Sequence, residues 1–398
     1  MTRFAHMSDC HLGSWSSHPE MKDKPLEAFE KAVEICISER VDFIIIAGDL
    51  LDTSLPGVDV LKHAAAVFRR CKDAGVPVYI VAGSHDYSPT GKTMLSVFEN
   101  AGLVIDVAKY SDEGDKVRLD FTVDEKTGMK IAGVFGKKGS LEVDMFQRLE
   151  VPEVAGPKIF VFHCGIDEHR TMSGMTSVPV GLLPQGFDYY ATGHIHVKKV
   201  YDIDGKKIAF PGPLFPTSFD ELEDYGSGFY IIDYNEGNVS IERKSVKLFD
   251  ILLVEEDANG RAPGEVESSI METIDKNLEN TLVLIRVSGT LSSGKLADVD
   301  FKNIAVRAES LGAIAMKKNI NKLFSPSMEE VAVEVASMDE IERRIIAEHA
   351  TKMKLRDKDT EDLIISLMNV LKDEKGEDET NATFEEKIKG NTKKLLGL

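Results

Sequence analysis

The sequence predicts an α/β fold of two packed sheets flanked by helices, followed by a small α+β unit and a helical tail. Three observations lead there. Strand, polar loop and helix alternate three times within the first hundred residues, five short apolar runs each end in a cluster of acids or histidines, and such clusters stop near residue 248. Alternation of this kind builds a parallel sheet covered by helices, with function gathered beyond the carboxyl ends of its strands.

The first strand runs into Ser8-Asp9-Cys10-His11-Leu12-Gly13. Extended backbone turns alternate side chains to one face, which would aim Asp9 and His11 at one cation and Cys10 away from it. Apolar residues at Leu26, Phe29, Ala32, Val33, Cys36 and Ile37 recur at helical spacing over 25–40. Phe43 to Ala47, rich in β-branched residues and too short for a helix, reads as a buried strand ending in Gly48-Asp49-Leu50-Leu51-Asp52. A helix over 58–74 closes at Gly75. The third unit repeats the plan: strand 76–82, then Gly83-Ser84-His85-Asp86, then a helix over 93–101.

Residues 117–123 and 129–134 read as a hairpin around Glu125-Lys126-Thr127-Gly128. Two further buried strands end in His163-Cys164-Gly165 and in Gly193-His194-Ile195-His196. Hairpins at 200–210 and 229–246 follow, and a second, antiparallel sheet packed on the first would bury them. Strands at 249–254, 282–287 and 313–320 with helices at 264–278 and 299–311 form the α+β unit. A linker at 324–327 leads to helices at 338–349, 360–371 and 384–396, interrupted by an acidic break at 373–378. The apolar stripe Leu363, Ile364, Leu367, Met368 and Leu371 packs on neighbouring helices or on a partner.

Forty-eight basic against 67 acidic residues give a net charge of −19, which opposes sequence-independent attraction to polyphosphate. Bound divalent cations would cancel carboxylates locally, and Lys137-Lys138, Lys198-Lys199 and Lys206-Lys207 could form a basic rim. The four cysteines show no C-x-x-C spacing and read as buried thiols. The chain opens almost directly in a strand, without a charged and then apolar leader, so a cytoplasmic location is expected.

Of the ten histidines, five (His11, His85, His163, His194 and His196) fall in the clusters. Nitrogen and carboxylate ligands without thiolate suit manganese, iron or zinc. The supply exceeds the needs of one ion, and a central carboxylate such as Asp49 can bridge two ions about 3.5–4 Å apart. Water between two such cations becomes a nucleophile, with phosphorus as its target. The departing alkoxide needs a proton, for which His85 is the candidate, its ring oriented by Asp86 or Asp52.

The five clusters, D-x-H, G-D-x-x-D, G-S-H-D, F-H-C-G and G-H-x-H, resemble those of the calcineurin-like metallophosphoesterase superfamily over about residues 1–245. Within it, their order, the α+β unit and the helical tail most resemble the archaeal DNA double-strand break repair nucleases of the Mre-eleven or SbcD type. The resemblance implies a two-sheet metallophosphoesterase sandwich at 1–247, a capping domain at 248–324, and a linker with a helical partner-binding region at 325–398. It implies one metal on Asp9, His11, Asp49 and His196, another on Asp49, Ser84, His163 and His194, and His85 as the catalytic histidine. The implied cofactors are two manganese ions, and the implied activity on DNA is 3′–5′ exonuclease on duplex ends and endonuclease on single strands. The implied partners are DNA, an ABC-type coiled-coil ATPase of the Rad-fifty or SbcC type, and a second copy of the chain. That copy would dock through the helices at 58–74 and 93–101, where Leu61, Val67, Leu95 and Phe98 serve either the contact or the core.

Two departures stand out. Ser84 replaces the asparagine usual in G-N-H-D/E, and a hydroxyl is shorter and a poorer ligand than an amide oxygen, so the second metal is expected to bind more weakly. Asp52 stands where some relatives carry histidine, which favours an orienting role. The alternatives are a phosphoesterase for a nucleotide, another small molecule or a phosphoprotein, and a non-catalytic scaffold. Thr53-Ser54, where a protein phosphatase would show Arg-Gly, counts against the phosphoprotein reading.

Overall fold

The computed structural model describes residues 1–88, 92–136, 141–167, 177–203, 205–326, 366, 370 and 381–396. The chain opens with β1 (Thr2–Met7), α1 (Lys24–Ser38), β2 (Phe43–Ala47), α2 (Val58–Asp73), β3 (Val78–Val81), α3 (Leu95–Asn100) and β4 (Ile105–Asp106). Shorter elements follow: β5 (Tyr110–Asp112), β6 (Val117–Leu119), β7 (Thr122–Val123), β8 (Lys130–Gly133), α4 (Leu141–Gln147) and β9 (Leu149–Glu150). Next come β10 (Lys158–Val161), β11 (Gly165–Ile166), β12 (Ser177–Val178), β13 (Tyr189–Ala191), β14 (Lys199–Ile203), β15 (Lys206–Phe210), α5 (Phe219–Glu223), β16 (Gly228–Asn235) and β17 (Asn238–Ser245).

These elements make two six-stranded sheets, ordered β17-β16-β1-β2-β3-β4 and β14-β15-β13-β10-β8-β7. In the first, β1 to β4 are parallel and the β16–β17 hairpin extends the β1 edge antiparallel. The second is not the antiparallel sheet expected. Its centre, β8, β10, β13 and β15, is parallel, with β7 and β14 as antiparallel edges. The two long hairpins belong to different sheets, so neither could build the second alone. The expected strand 117–123 also divides: β6 pairs with β5 and β9, whereas β7 pairs with β8. At the break, the Asp120 N–H turns to the Lys109 carbonyl.

Phe4, Phe43, Ile45 and Val81 of the first sheet meet Ile131, Ile159, Val161 and Tyr189 of the second in one buried layer. Burial on both faces explains why β2 is apolar at every position. On the outer face α1 and α2 pack through Phe29 and Phe68, 5.4 Å between ring centroids. Val67, Leu95 and Phe98 are buried in the same layer, so they pack the core and are not free to form a dimer contact. The exposed apolar residues of this region are Leu55, Val58 and Val97.

The α+β unit comprises β18 (Asp250–Asp257), α6 (Pro263–Ile274), β19 (Thr281–Thr290), α7 (Phe301–Ser310) and β20 (Ala313–Phe324), its three strands parallel. One face carries the helices through Val266, Ile270, Ile304 and Ala308. The other sets Leu282, Leu284 and Ala315 into the layer that holds Phe215 and Leu222. Met1–Phe324 is one compact unit and Ser325–Leu398 another; the second contains α8 (Asn381–Leu396). The expected helices at 338–349 and 360–371, the acidic break, the end of the linker and Lys137-Lys138 lie outside the described residues, apart from positions 366 and 370. Among those described, no helix is long and apolar enough to cross a membrane.

Candidate metal centre

Parallel strands β1, β2, β3, β10 and β13 deliver their clusters to one edge of the sandwich, but not by continuing as strands. Asp9 (φ 50°), His11 (43°), Asp49 (49°), His194 (81°) and His196 (46°) all adopt left-handed backbone, five of the nine non-glycine residues that do so among those described. The expected alternation past Met7 is therefore replaced by a kinked ladder, with the N–H groups of Asp9, His11 and Leu12 donating to the carbonyls of Gly48, Asp49 and Leu50. Cys10 still turns into the core. Each such residue costs on the order of 1 kcal/mol or more, and strain of this kind collects at functional sites.

One half of the centre is buried. Ligand atoms of Asp49, His163 and His194 lie within 4.8 Å of one another. His163 donates from Nδ1 to the Ala47 carbonyl at 2.8 Å, which leaves Nε2 for another partner. Nε2 is 3.0 Å from Asp49 Oδ2 but off hydrogen-bonding geometry, a charge contact only. Two glycines make room: a Cβ on Gly48 would meet His163 Nδ1 at 2.2 Å, and one on Gly83 would meet Asp49 Oδ1 at 2.2 Å. Asp49 Oδ1 accepts the His85 N–H at 2.8 Å, and the Ser84 hydroxyl stands 3.5 Å from Oδ2. Burial acts to lower the basicity of His163, yet the Asp49 carboxylate overrides it and raises the pKa to about 10. Burial likewise opposes ionisation of Asp49, but His163 wins and holds its pKa well below the usual range. His194 is lowered to about 4, by burial and then by His163.

The other half is set just as deep, with Asp9 and His11 buried and His196 half-buried. Ligand atoms of Asp9, His11 and His196 again lie within 4.8 Å. Asp9 is fixed by the Ser8 hydroxyl and by the His194 N–H at 2.9 Å. His196 Nδ1 donates to Glu221 Oε1 at 2.8 Å, and its Nε2 faces His11 Nε2 at 3.1 Å and Asp9 Oδ1 at 3.6 Å. Beside them the His85 ring stands edge-on to His11, 4.8 Å between centroids, with Nδ1 donating to the Asp52 carbonyl at 2.8 Å.

The donor set fits cations. His85, His163 and His196 are each anchored through Nδ1, the way a carboxylate or carbonyl fixes the tautomer of a ligating histidine so that Nε2 is available. His163 Nε2 is buried without a hydrogen bond, and the His11 and His196 Nε2 atoms face each other at 3.1 Å, where a shared cation would satisfy both. The proposed ligands gather here with His85, Asp52 and Asp86, but the two orienting carboxylates take different parts. Asp86 does not touch the His85 ring; its oxygens accept the N–H groups of Gly83 at 2.9 Å, Leu51 at 2.9 Å and Leu50 at 3.3 Å, bracing two ligand loops together. Burial and then Asp49 push its pKa up to about 7. Asp52 holds His85 by its main chain, while its carboxylate stands 3.4 Å from His11 Nδ1.

Sequence reasoning missed Glu221 and Ser8. Ser218-x-x-Glu221 has the form of a capping box, but the Glu221 carboxylate serves His196 and the Thr217 N–H and hydroxyl instead. Ser8 could have been noticed only as a hydroxyl next to an acid.

The calcineurin-like phosphoesterase family model matches residues 2–198, which include every proposed ligand strand. The DNA double-strand break repair protein Mre11 of Saccharolobus solfataricus is 30% identical over 245 residues, 59% of this chain and 61% of its own. That of Sulfurisphaera tokodaii is 28% identical over 251 residues, 62% and 63% respectively. That of Archaeoglobus fulgidus is 26% identical over 424 aligned positions, covering 98% of this chain and 91% of its own. The alignments to the first two thus span about three fifths of those relatives. On that match, residues 2–198 form a calcineurin-like phosphoesterase domain, that of a metal-dependent phosphoester hydrolase.

Proposed function

We propose that the chain is a manganese-dependent DNA nuclease that processes double-strand breaks, as a 3′–5′ exonuclease on duplex ends and an endonuclease on single strands. One observation carries the reading: two triads, Asp9–His11–His196 and Asp49–His163–His194, each gather their ligand atoms within 4.8 Å around a buried carboxylate. The Mre11 names of the relatives supply the substrate class. In this reading residues 248–324 act as a capping domain, and 325–398 bind an ABC-type coiled-coil ATPase of the Rad-fifty type. The working form is a homodimer.

Asp9, His11, Asp49 and His196 would hold one cation and Asp49, Ser84, His163 and His194 the other. When bound, the pair supplies Lewis-acid charge for phosphodiester oxygens and acidifies water for in-line attack. The residues of the chain do the rest. Asp86 keeps the Asp49 and Ser84 loops in register, so the ligands need no reorganisation on loading. His85, held through Nδ1 by a neutral carbonyl, presents Nε2 to substrate and delivers a proton there to the departing oxygen.

The test is incubation with duplex and single-stranded DNA in manganese, alongside His85→Ala. Degradation of both DNAs that the substitution abolishes is expected. Cleavage of small phosphodiesters alone supports the small-molecule enzyme, and no cleavage of either supports a scaffold.

A further inference from the structure

The two halves of the centre are held by different parts of the chain, and the difference reaches into the α+β unit. His196 is held by Glu221, the middle residue of five-residue α5. The carboxylates on either side of it belong to another partner. Arg286, on β19, donates from Nε and Nη2 to Glu223 at 2.7 and 2.8 Å and from Nη2 to Asp220 at 2.6 Å, and its guanidinium lies over the Phe219 ring. Leu222 on the same helix is buried with Leu282 and Leu284 of β19. The loop after His11 is held similarly: Trp15 donates to the Pro216 carbonyl at 2.7 Å, and Lys317 of β20 lies over its ring while pairing with Glu20 at 2.7 Å. Asp49, His163 and Asp86, by contrast, make their hydrogen bonds to the backbone and side chains of the sandwich loops themselves.

We propose that Glu221 is a positioning residue for His196, and that Arg286, by clamping α5, lets the α+β unit set cation affinity at Asp9, His11 and His196 without affecting Asp49, His163 and His194. The device is local: a helix of five residues has too few hydrogen bonds of its own to stay folded alone, so the fork of Arg286 fixes where Glu221 stands. Lysine cannot reproduce that fork.

This rests on the reading of the site as a metal centre, and the experiment separates the two. Manganese is titrated calorimetrically into the full chain as wild type, Glu221→Ala, Glu221→Gln, Arg286→Met and Arg286→Lys. In the metal-free proteins at alkaline pH, the tautomer of His196 is read by nitrogen-15 NMR. Two sites are expected in the wild type, one of them weakened about tenfold in Glu221→Ala and in Arg286→Met, the range seen when such outer partners are removed. The other should stay unchanged, with His196 losing its Nδ1–H preference in both variants. Glu221→Gln, whose amide oxygen still accepts, should keep the tautomer; Arg286→Lys should not restore affinity. Wild type that takes up no manganese overturns the metal centre. Two wild-type sites that Arg286→Met leaves alone, or weakens equally, overturn the role of the α+β unit only, and an unchanged tautomer in Glu221→Ala overturns that of Glu221.

Discussion

The Asp49–His163–His194 half of the centre and the Asp9–His11–His196 half use the same chemistry, nitrogen and carboxylate donors on strained turns, but different supports. Asp49 and His163 are held by backbone groups of neighbouring strands and loops, the His85 N–H and the Ala47 carbonyl, and by glycines that leave no space for a methyl. His196 is held by one carboxylate on a short helix that leans on the α+β unit. Support from the core makes a site rigid and costly to disturb, whereas support from a side chain makes it adjustable.

Four substitutions or conditions break or sharpen that contrast. His85 touches both halves, its N–H on Asp49 and its ring against His11, yet it is assigned to neither cation. His85→Ala should lower DNA hydrolysis by about a hundred- to ten-thousandfold and leave manganese stoichiometry at two, measured by steady-state cleavage and calorimetry on one preparation. Next is the brace: Asp86→Ala strands three buried N–H groups at about 1 kcal/mol each. Denaturant melts should therefore show a loss of about 3 kcal/mol, against under about 1 kcal/mol for Glu221→Ala; equal losses would erase the distinction between core and side-chain support.

Protons give the third contrast. His163 holds its proton up to about 10 in the metal-free chain, and a cation at Nε2 must displace it. Its folded pKa lies above neutrality, so proton competition is strongest at low pH and fades as pH rises. Affinity of the Asp49–His163–His194 half should accordingly climb by up to about tenfold per pH unit from 6 to 8. A flat profile there contradicts the assignment of His163. The smallest effect is at Ser84, 3.5 Å from Asp49 Oδ2. Ser84→Asn should tighten manganese binding in the Asp49–His163–His194 half a few-fold, and unchanged affinity in the titration would remove Ser84 from the ligand set.

Much of this was legible in the sequence, for a physical reason. A parallel strand buried on both faces must be apolar throughout, as β2 is, so the polar cluster at its end stands out and marks the functional edge. Periodicity also placed the helices of the sandwich and of the α+β unit. It could not show how the second sheet is wired, since parallel and antiparallel partners bury the same residues. Nor could it show the left-handed turns at Asp9 and His11, which exist because the first loop pairs with the second. Asp86 takes another part for a related reason: a carboxylate next to a histidine suggests a dyad, whereas the Gly83 N–H of its own loop and the Leu50 and Leu51 N–H groups of a distant one claim it. Glu221 lies 25 residues beyond His196, and only the packing of α5 brings the two together.

The most direct test of the two-half centre is manganese stoichiometry in three proteins: wild type, His163→Ala and His196→Ala, each checked for folding by its thermal transition. The account predicts two ions per wild-type chain and one high-affinity ion in each variant, with the retained site differing in pH dependence between them. A single ion in the wild type, or loss of both ions from either folded variant, would contradict it.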